Sequence, residues 1–215
     1  MKFSDADFLL YAVTDRRWSV GRTLKEQVAD AITGGVTMVQ LREKDLSAEK
    51  FLQEAREIRE ICRRGHVPFI VNDNVEIAAA IDADGVHLGQ EDMSPVTARK
   101  ILGSDKLIGV SVKTRRQAEL AQSMGADYLG VGAVFPTQTK KDAAEVSLDV
   151  LREICAAVKI PAVAIGGIDG ENMGALQHSG IVGVSVVSAI FAQADTRAAA
   201  QELKAAAIKF LGREQ

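Results

Sequence analysis

Cysteine is scarce in this chain, and the little there is makes no pair. Two occur in 215 residues, Cys62 and Cys155. They lie in separate amphipathic segments without CxxC spacing, which suggests neither a zinc site nor a redox pair and points to a reduced, cytoplasmic setting. An excess of basic charge is missing as well. The net charge of -3, with 26% charged residues, gives no global positive field to draw in nucleic acid, so any anion site must be local. No apolar run approaches the roughly 18 residues of a membrane span. The segment Met1 to Asp7 is short and polar, so neither insertion nor export is expected. Proline- and serine-rich linkers are absent, which favours a single domain over residues 1–215. The three histidines, His66, His87 and His178, are scattered and read as structural, His87 because it alternates with apolar residues in a strand. Ser111 consequently has no Ser-His-Asp partners, and nucleophilic catalysis is not indicated.

What the chain does contain is a repeating alternation of short β-rich runs with longer helical patterns, about eight times over. The runs are Phe8 to Val13, Met38 to Leu41, Phe69 to Val71, Gly85 to Leu88, Leu107 to Val110, Tyr128 to Val131, Ala162 to Ile165 and Val182 to Val187. All are short and apolar, as parallel strands covered on both faces should be. Helix starts follow them. Thr23-x-x-Glu26 and Thr114-x-x-Gln117 read as capping boxes, Ser47 and Ser147 as N-caps, and Ser94-Pro95 as N-cap and first helical residue. Eight such units in a chain of this length close most economically as a single (β/α)8 TIM barrel, with an open doubly wound sheet as the competing arrangement.

A barrel puts its functional groups just after the strands, and the polar residues fall there. Val39-Gln40-Leu41-Arg42-Glu43-Lys44 ends a buried-looking strand with two cations, an amide and a carboxylate, the form of an anion site on a rigid element. Asn72-Asp73 and Asp92 bring two carboxylates to neighbouring loops. Magnesium is held by such sparse ligation, with water and substrate phosphate completing the shell, whereas zinc would want His or Cys. The long loop from Gly132 to Asp142 carries Thr137, Gln138, Thr139 and Lys140, two hydroxyls and a point charge suited to an anion. Gly166-Gly167 and Val187-Ser188 occupy the place where many barrels bind phosphate through backbone N–H groups. Cations, hydroxyls, a metal pair and two anion sites with no strong general base suit ionisation of a diphosphate ester, in which metal and cations stabilise the leaving group.

In this order, Val-Gln-Leu-Arg-Glu-Lys, Val-Asn-Asp, Gly-Val-His-Leu-Gly-Gln-Glu-Asp, Gly-Val-Ser, Phe-Pro-Thr-Gln-Thr-Lys-Lys-Asp and Ala-Ile-Gly-Gly-Ile resemble the thiamine-phosphate synthase family from about Tyr11 to Phe191. The resemblance implies joining of 4-amino-5-hydroxymethyl-2-methylpyrimidine diphosphate to a thiazole phosphate, plain or carboxylated, with release of pyrophosphate. It implies a dissociative route through a pyrimidine carbocation. Carried over by position, Gln40, Leu41, Arg42, Glu43, Lys44, Asn72, Ser111 and Lys140 would hold the pyrimidine diphosphate, with Arg42, Lys44, Ser111 and Lys140 serving catalysis. Asp73 and Asp92 would hold Mg2+, and Thr137, Gln138, Thr139, Gly167, Val187 and Ser188 the thiazole phosphate. Lys113 departs from the usual His or Thr, and Ala133 from the usual Pro. A thiazole tautomerase and a non-catalytic thiazole-phosphate binder are the alternatives, and Arg42, Lys44, Asp73 and Asp92 argue against the first. The expected partners are small-molecule substrates, not nucleic acid or membrane; a homo-oligomer is compatible with this reading, and no motif sets its order.

Overall fold

Short apolar runs bounded by turn residues form the eight strands β1 (Leu10–Val13), β2 (Met38–Leu41), β3 (Phe69–Asn72), β4 (Gly85–Leu88), β5 (Leu107–Val112), β6 (Tyr128–Gly132), β7 (Ala162–Ile165) and β8 (Gly183–Val186). Each is parallel to the next, and β8 pairs back onto β1 with Tyr11 beside Ser185, so the sheet closes into a barrel. This computed structural model describes residues 3–19, 21–137 and 145–212. Around the barrel lie α1 (Leu24–Thr33), α2 (Ala48–Arg64), α3 (Val75–Ala80), α4 (Pro95–Leu102), α5 (Arg115–Ser123), α6 (Leu148–Ala157), α7 (Ser188–Phe191) and α8 (Thr196–Leu211).

The period of two along each strand divides the core into two layers. Leu10, Ala12, Val39, Leu41, Phe69 and Val71 face the helices, where α2 offers the stripe Phe51, Ala55, Ile58 and Cys62. Tyr11, Val13, Met38, Ile70, Leu107, Tyr128 and Val163 face inward and fill the barrel together with Phe8. Phe8 belongs to a 3-10 turn, Asp5–Phe8, and not to the first strand as its apolar character suggested; its ring packs 5.0 Å from that of Tyr128. The open sheet is thereby excluded.

Ser and Thr residues end the loops at the expected places. Thr23, Ser47, Ser94, Thr114 and Ser147 each accept a backbone N–H from the first turn of the helix they precede. Thr23 and Glu26 form a complete capping box, but Gln117 turns its carbonyl oxygen to the Lys113 N–H at 2.8 Å, so Thr114 caps alone. The seventh crossover also differs from expectation: β7 reaches β8 through a 3-10 turn, Met173–Leu176, and both remaining helices follow β8. No helix among the described residues is long and apolar enough to cross a membrane.

Candidate active site

The C-terminal ends of the strands surround a cavity of about 530 Å3, a volume suited to a pair of small ligands. At its β1–β2 side, Thr14 fixes the loop that carries the cations. Its N–H donates to the Gln40 carbonyl at 2.9 Å, and its hydroxyl accepts the Arg42 N–H at 3.0 Å. Gln40, Arg42 and Lys44 line the cavity. Leu41 and Glu43 do not, because alternation along the strand sends them the other way. The Leu41 side chain is buried in the layer under the helices. The Glu43 carboxylate accepts two hydrogen bonds from Arg16 at 3.2 Å, and Arg16 also pairs with Glu54. Burial pushes the Glu43 carboxyl up, Arg16 opposes, and Glu54 adds to the rise. Glu43 therefore anchors the loop, and a ligand would meet at most the backbone of these two residues.

Across the cavity, Asp73 and Asp92 converge. Lys44 pairs with Asp73, and Asp92 lies within hydrogen-bonding reach of the Asp73 carboxylate. The Asp92 carboxyl accepts the Gly89 N–H at 2.7 Å, yet desolvation and the neighbouring Asp73 raise its pKa. Asp73 holds a left-handed backbone, φ +60°, which costs a non-glycine residue energy and aims this short side chain. Two crowded carboxylates beside open cavity fit a divalent cation. Among the described residues no group of three or more His, Cys, Asp or Glu gathers at one point. The pair thus fits a hard ion that keeps oxygen ligands from water and substrate, and does not fit a zinc cage.

On the far side, Thr137, Gly166, Gly167, Val187 and Ser188 line the same cavity. Gly166 and Gly167 have φ of +100° and +63°. A Cβ on Gly167 would come within 2.3 Å of the Pro136 carbonyl oxygen, so packing against the β6 loop demands glycine whether or not an anion binds there. The Asn172 side chain holds this turn by donating to the Gly167 carbonyl at 2.7 Å. Gln138, Thr139 and Lys140 lie outside the described residues.

Inside the barrel, Tyr11, Tyr128 and His87 join two of these candidate residues, Gln40 and Ser111. Gln40 Nε2 donates to the Tyr11 hydroxyl at 2.6 Å, which meets the Tyr128 hydroxyl at 2.9 Å. Tyr128 meets His87 Nδ1 at 3.0 Å, and His87 Nε2 meets Ser111 Oγ at 2.9 Å. His87 is thus a buried, hydrogen-bonded residue at the cavity floor. The signal was present in Gly109 and Gly130. A Cβ at Gly109 would lie 2.1 Å from Tyr128 Cζ and one at Gly130 2.9 Å from His87 Cε1, so two inward positions are left empty to admit these rings. Ser185, on β8, has a hydroxyl that is buried at the cavity wall and finds no protein partner among the described residues. A ligand polar atom would relieve that cost.

Burial lowers the His87 pKa to about 4. Below its unfolded value of about 6.5 the unfolded chain takes up a proton that the folded ring refuses, so stability falls as pH drops from there toward 4. The loss attributable to this residue is on the order of 3 kcal/mol across that window. Urea unfolding at a series of pH values should therefore give a shallower pH slope for His87→Gln than for wild type. Parallel profiles would contradict a buried neutral imidazole.

Comparison with known proteins finds similar chains. A family model described as thiamine monophosphate synthase matches residues 10–190. The thiamine-phosphate synthase of Clostridium botulinum (strain 657 / Type Ba4) is 50% identical over 200 residues, covering 93% of this chain and 98% of that protein. That of Clostridium tetani is 47% identical over 203 residues, covering 94% and 97%. The solved structure of thiamine phosphate pyrophosphorylase from Pyrococcus furiosus superposes with a TM-score of 0.90 at 39% identity, covering 97% of this chain and 99% of that one.

Proposed function

Because the chain belongs to the thiamine monophosphate synthase family, we propose that its cavity joins 4-amino-5-hydroxymethyl-2-methylpyrimidine diphosphate to thiazole phosphate in thiamine biosynthesis. The observation that carries the assignment of roles is the convergence of Arg42, Lys44, Asp73 and Asp92 on one side of a cavity whose other side is backbone and hydroxyl. A tautomerase would have no use for that charged half.

In this reading Arg42 and Lys44 hold the diphosphate, and Asn72 and Ser111 border the pyrimidine beside Gln40. Asp73 and Asp92 would hold Mg2+, which when bound neutralises charge on the departing pyrophosphate. Arg42 and Lys44 reinforce that stabilisation as negative charge grows on the leaving oxygen, an effect greatest in the transition state. Lys140 belongs to the same set by position in the sequence. Thiazole phosphate rests on Thr137, Gly167, Val187 and Ser188, with Gln138 and Thr139 from the same loop, so that its ring nitrogen faces the carbon losing pyrophosphate. Capture of the pyrimidine carbocation by that nitrogen needs no protein base. Positioning the two reactants supplies the remainder.

Calorimetric titration of each ligand alone tests the division. Chelating Mg2+ should weaken binding of the pyrimidine diphosphate at least about 10-fold and alter thiazole phosphate binding by less than about 2-fold. Equal losses for both ligands would mean that the cavity is not divided in this way.

A further inference from the structure

Ser111 and Gln40 stand on strands β5 and β2, three strands apart around the barrel, yet a single row of hydrogen bonds joins them through its interior. We propose that His87, Tyr128 and Tyr11 are positioning residues that polarise this row, holding Ser111 as a hydrogen-bond donor to the ligand and leaving the Gln40 carbonyl oxygen as that residue's acceptor. The inference rests on the pyrimidine site proposed above.

The sense of the row follows from counting protons. Gln40 presents its amide nitrogen to Tyr11, so the Tyr11 oxygen accepts. Among the described residues the Tyr11 hydroxyl proton then has one partner, the Tyr128 oxygen at 2.9 Å. Tyr128 in turn gives its proton to His87 Nδ1 at 3.0 Å, and this fixes the tautomer, because a neutral imidazole that accepts at Nδ1 carries its proton on Nε2. That proton goes to Ser111 Oγ at 2.9 Å. The serine oxygen is then engaged, and its own proton is left to point into the cavity that Ser111 lines. A ligand seated against β5 must place an acceptor there. With Gln40 held as it is, running the other bonds backwards would strand the Tyr11 proton in a side chain that is 1% exposed. Turning the Gln40 amide over would reverse every bond together and present Ser111 as an acceptor.

Two further observations show that the row is built into the barrel. The inward positions Gly109 and Gly130 lack side chains where a Cβ would strike Tyr128 and His87. The His87 ring is also 8% exposed, and each of its nitrogens has a partner in the row, Tyr128 on one side and Ser111 on the other.

Two measurements on the whole protein decide the matter. The first is long-range 1H–15N NMR of a His66→Asn/His178→Asn variant, in which His87 is the one histidine left; both replaced residues have a left-handed backbone that Asn tolerates, φ 55° and 60°. Protonated Nε2 with bare Nδ1 is expected, and protonated Nδ1 overturns the proposal. The second is a double-mutant cycle. Tyr128→Phe keeps the ring and removes the proton that biases His87, so kcat/KM for the pyrimidine diphosphate should fall about 10-fold in wild type but less than about 2-fold in a Ser111→Ala background. Equal losses in both backgrounds would mean that Tyr128 only packs, and would overturn the relay. The NMR measurement needs no substrate, so a failed synthesis assay overturns the functional reading while the tautomer still judges the relay.

Discussion

Asp73→Asn and Asp92→Asn should each lower turnover in the presence of Mg2+ by at least about 100-fold, the scale of losing one preorganised electrostatic contact to a leaving group. Each change removes one unit of charge and keeps the shape. Asp92→Asn retains an oxygen for the Gly89 N–H, which Asp92 accepts at 2.7 Å, and removes a like-charge contact with Asp73. Its thermal stability should therefore hold or rise while activity collapses. Such a split cannot come from misfolding. Asp73→Asn releases Lys44 from its ion pair, and its stability should change little because that lysine is half exposed. Steady-state kinetics and thermal melts of both variants check this, and near-normal turnover in both would remove these residues from the metal role.

Arg42→Ala is the second large effect, with kcat/KM for the pyrimidine diphosphate falling on the order of 100-fold or more. The Arg42 backbone is tied to Thr14 by a hydrogen bond of 3.0 Å, so the guanidinium projects from a fixed point. It forms no hydrogen bond or ion pair with the described residues, and the folded protein thus loses little when it is truncated. Arg42→Lys should restore only a small part of the loss, because an ammonium keeps the charge but not the planar fork that grips two phosphate oxygens. Full recovery with lysine would reduce Arg42 to a point charge.

The architecture was legible because its signals are local. Gly85 to Leu88, Met38 to Leu41 and Ala162 to Ile165 were bounded to the residue by apolar runs between turn residues, and Ser47, Ser94 and Ser147 end loops where their hydroxyls can reach a free N–H. Phe8 was read into a strand because an apolar residue next to a strand looks like part of it; only closure of the barrel over its base shows why it turns inward. The rim was legible by its loops and less so by its side chains. Gln40, Arg42 and Lys44 face the cavity while Leu41 and Glu43, between them, do not. The motif names all five, but alternation along a strand and a distant Arg16 decide which way each points. The partners of His87 are hidden for a related reason. Apolar neighbours in sequence face the helices, and its own neighbours in space, Tyr128 and Ser111, arrive from β6 and β5.

The most direct test is to incubate the purified protein with the pyrimidine diphosphate, thiazole phosphate and Mg2+ and to quantify thiamine phosphate and pyrophosphate in the same samples. Both should appear in equal amounts, and both should disappear together in Asp92→Asn. Pyrophosphate without thiamine phosphate, or neither product from wild type, would contradict the proposed function.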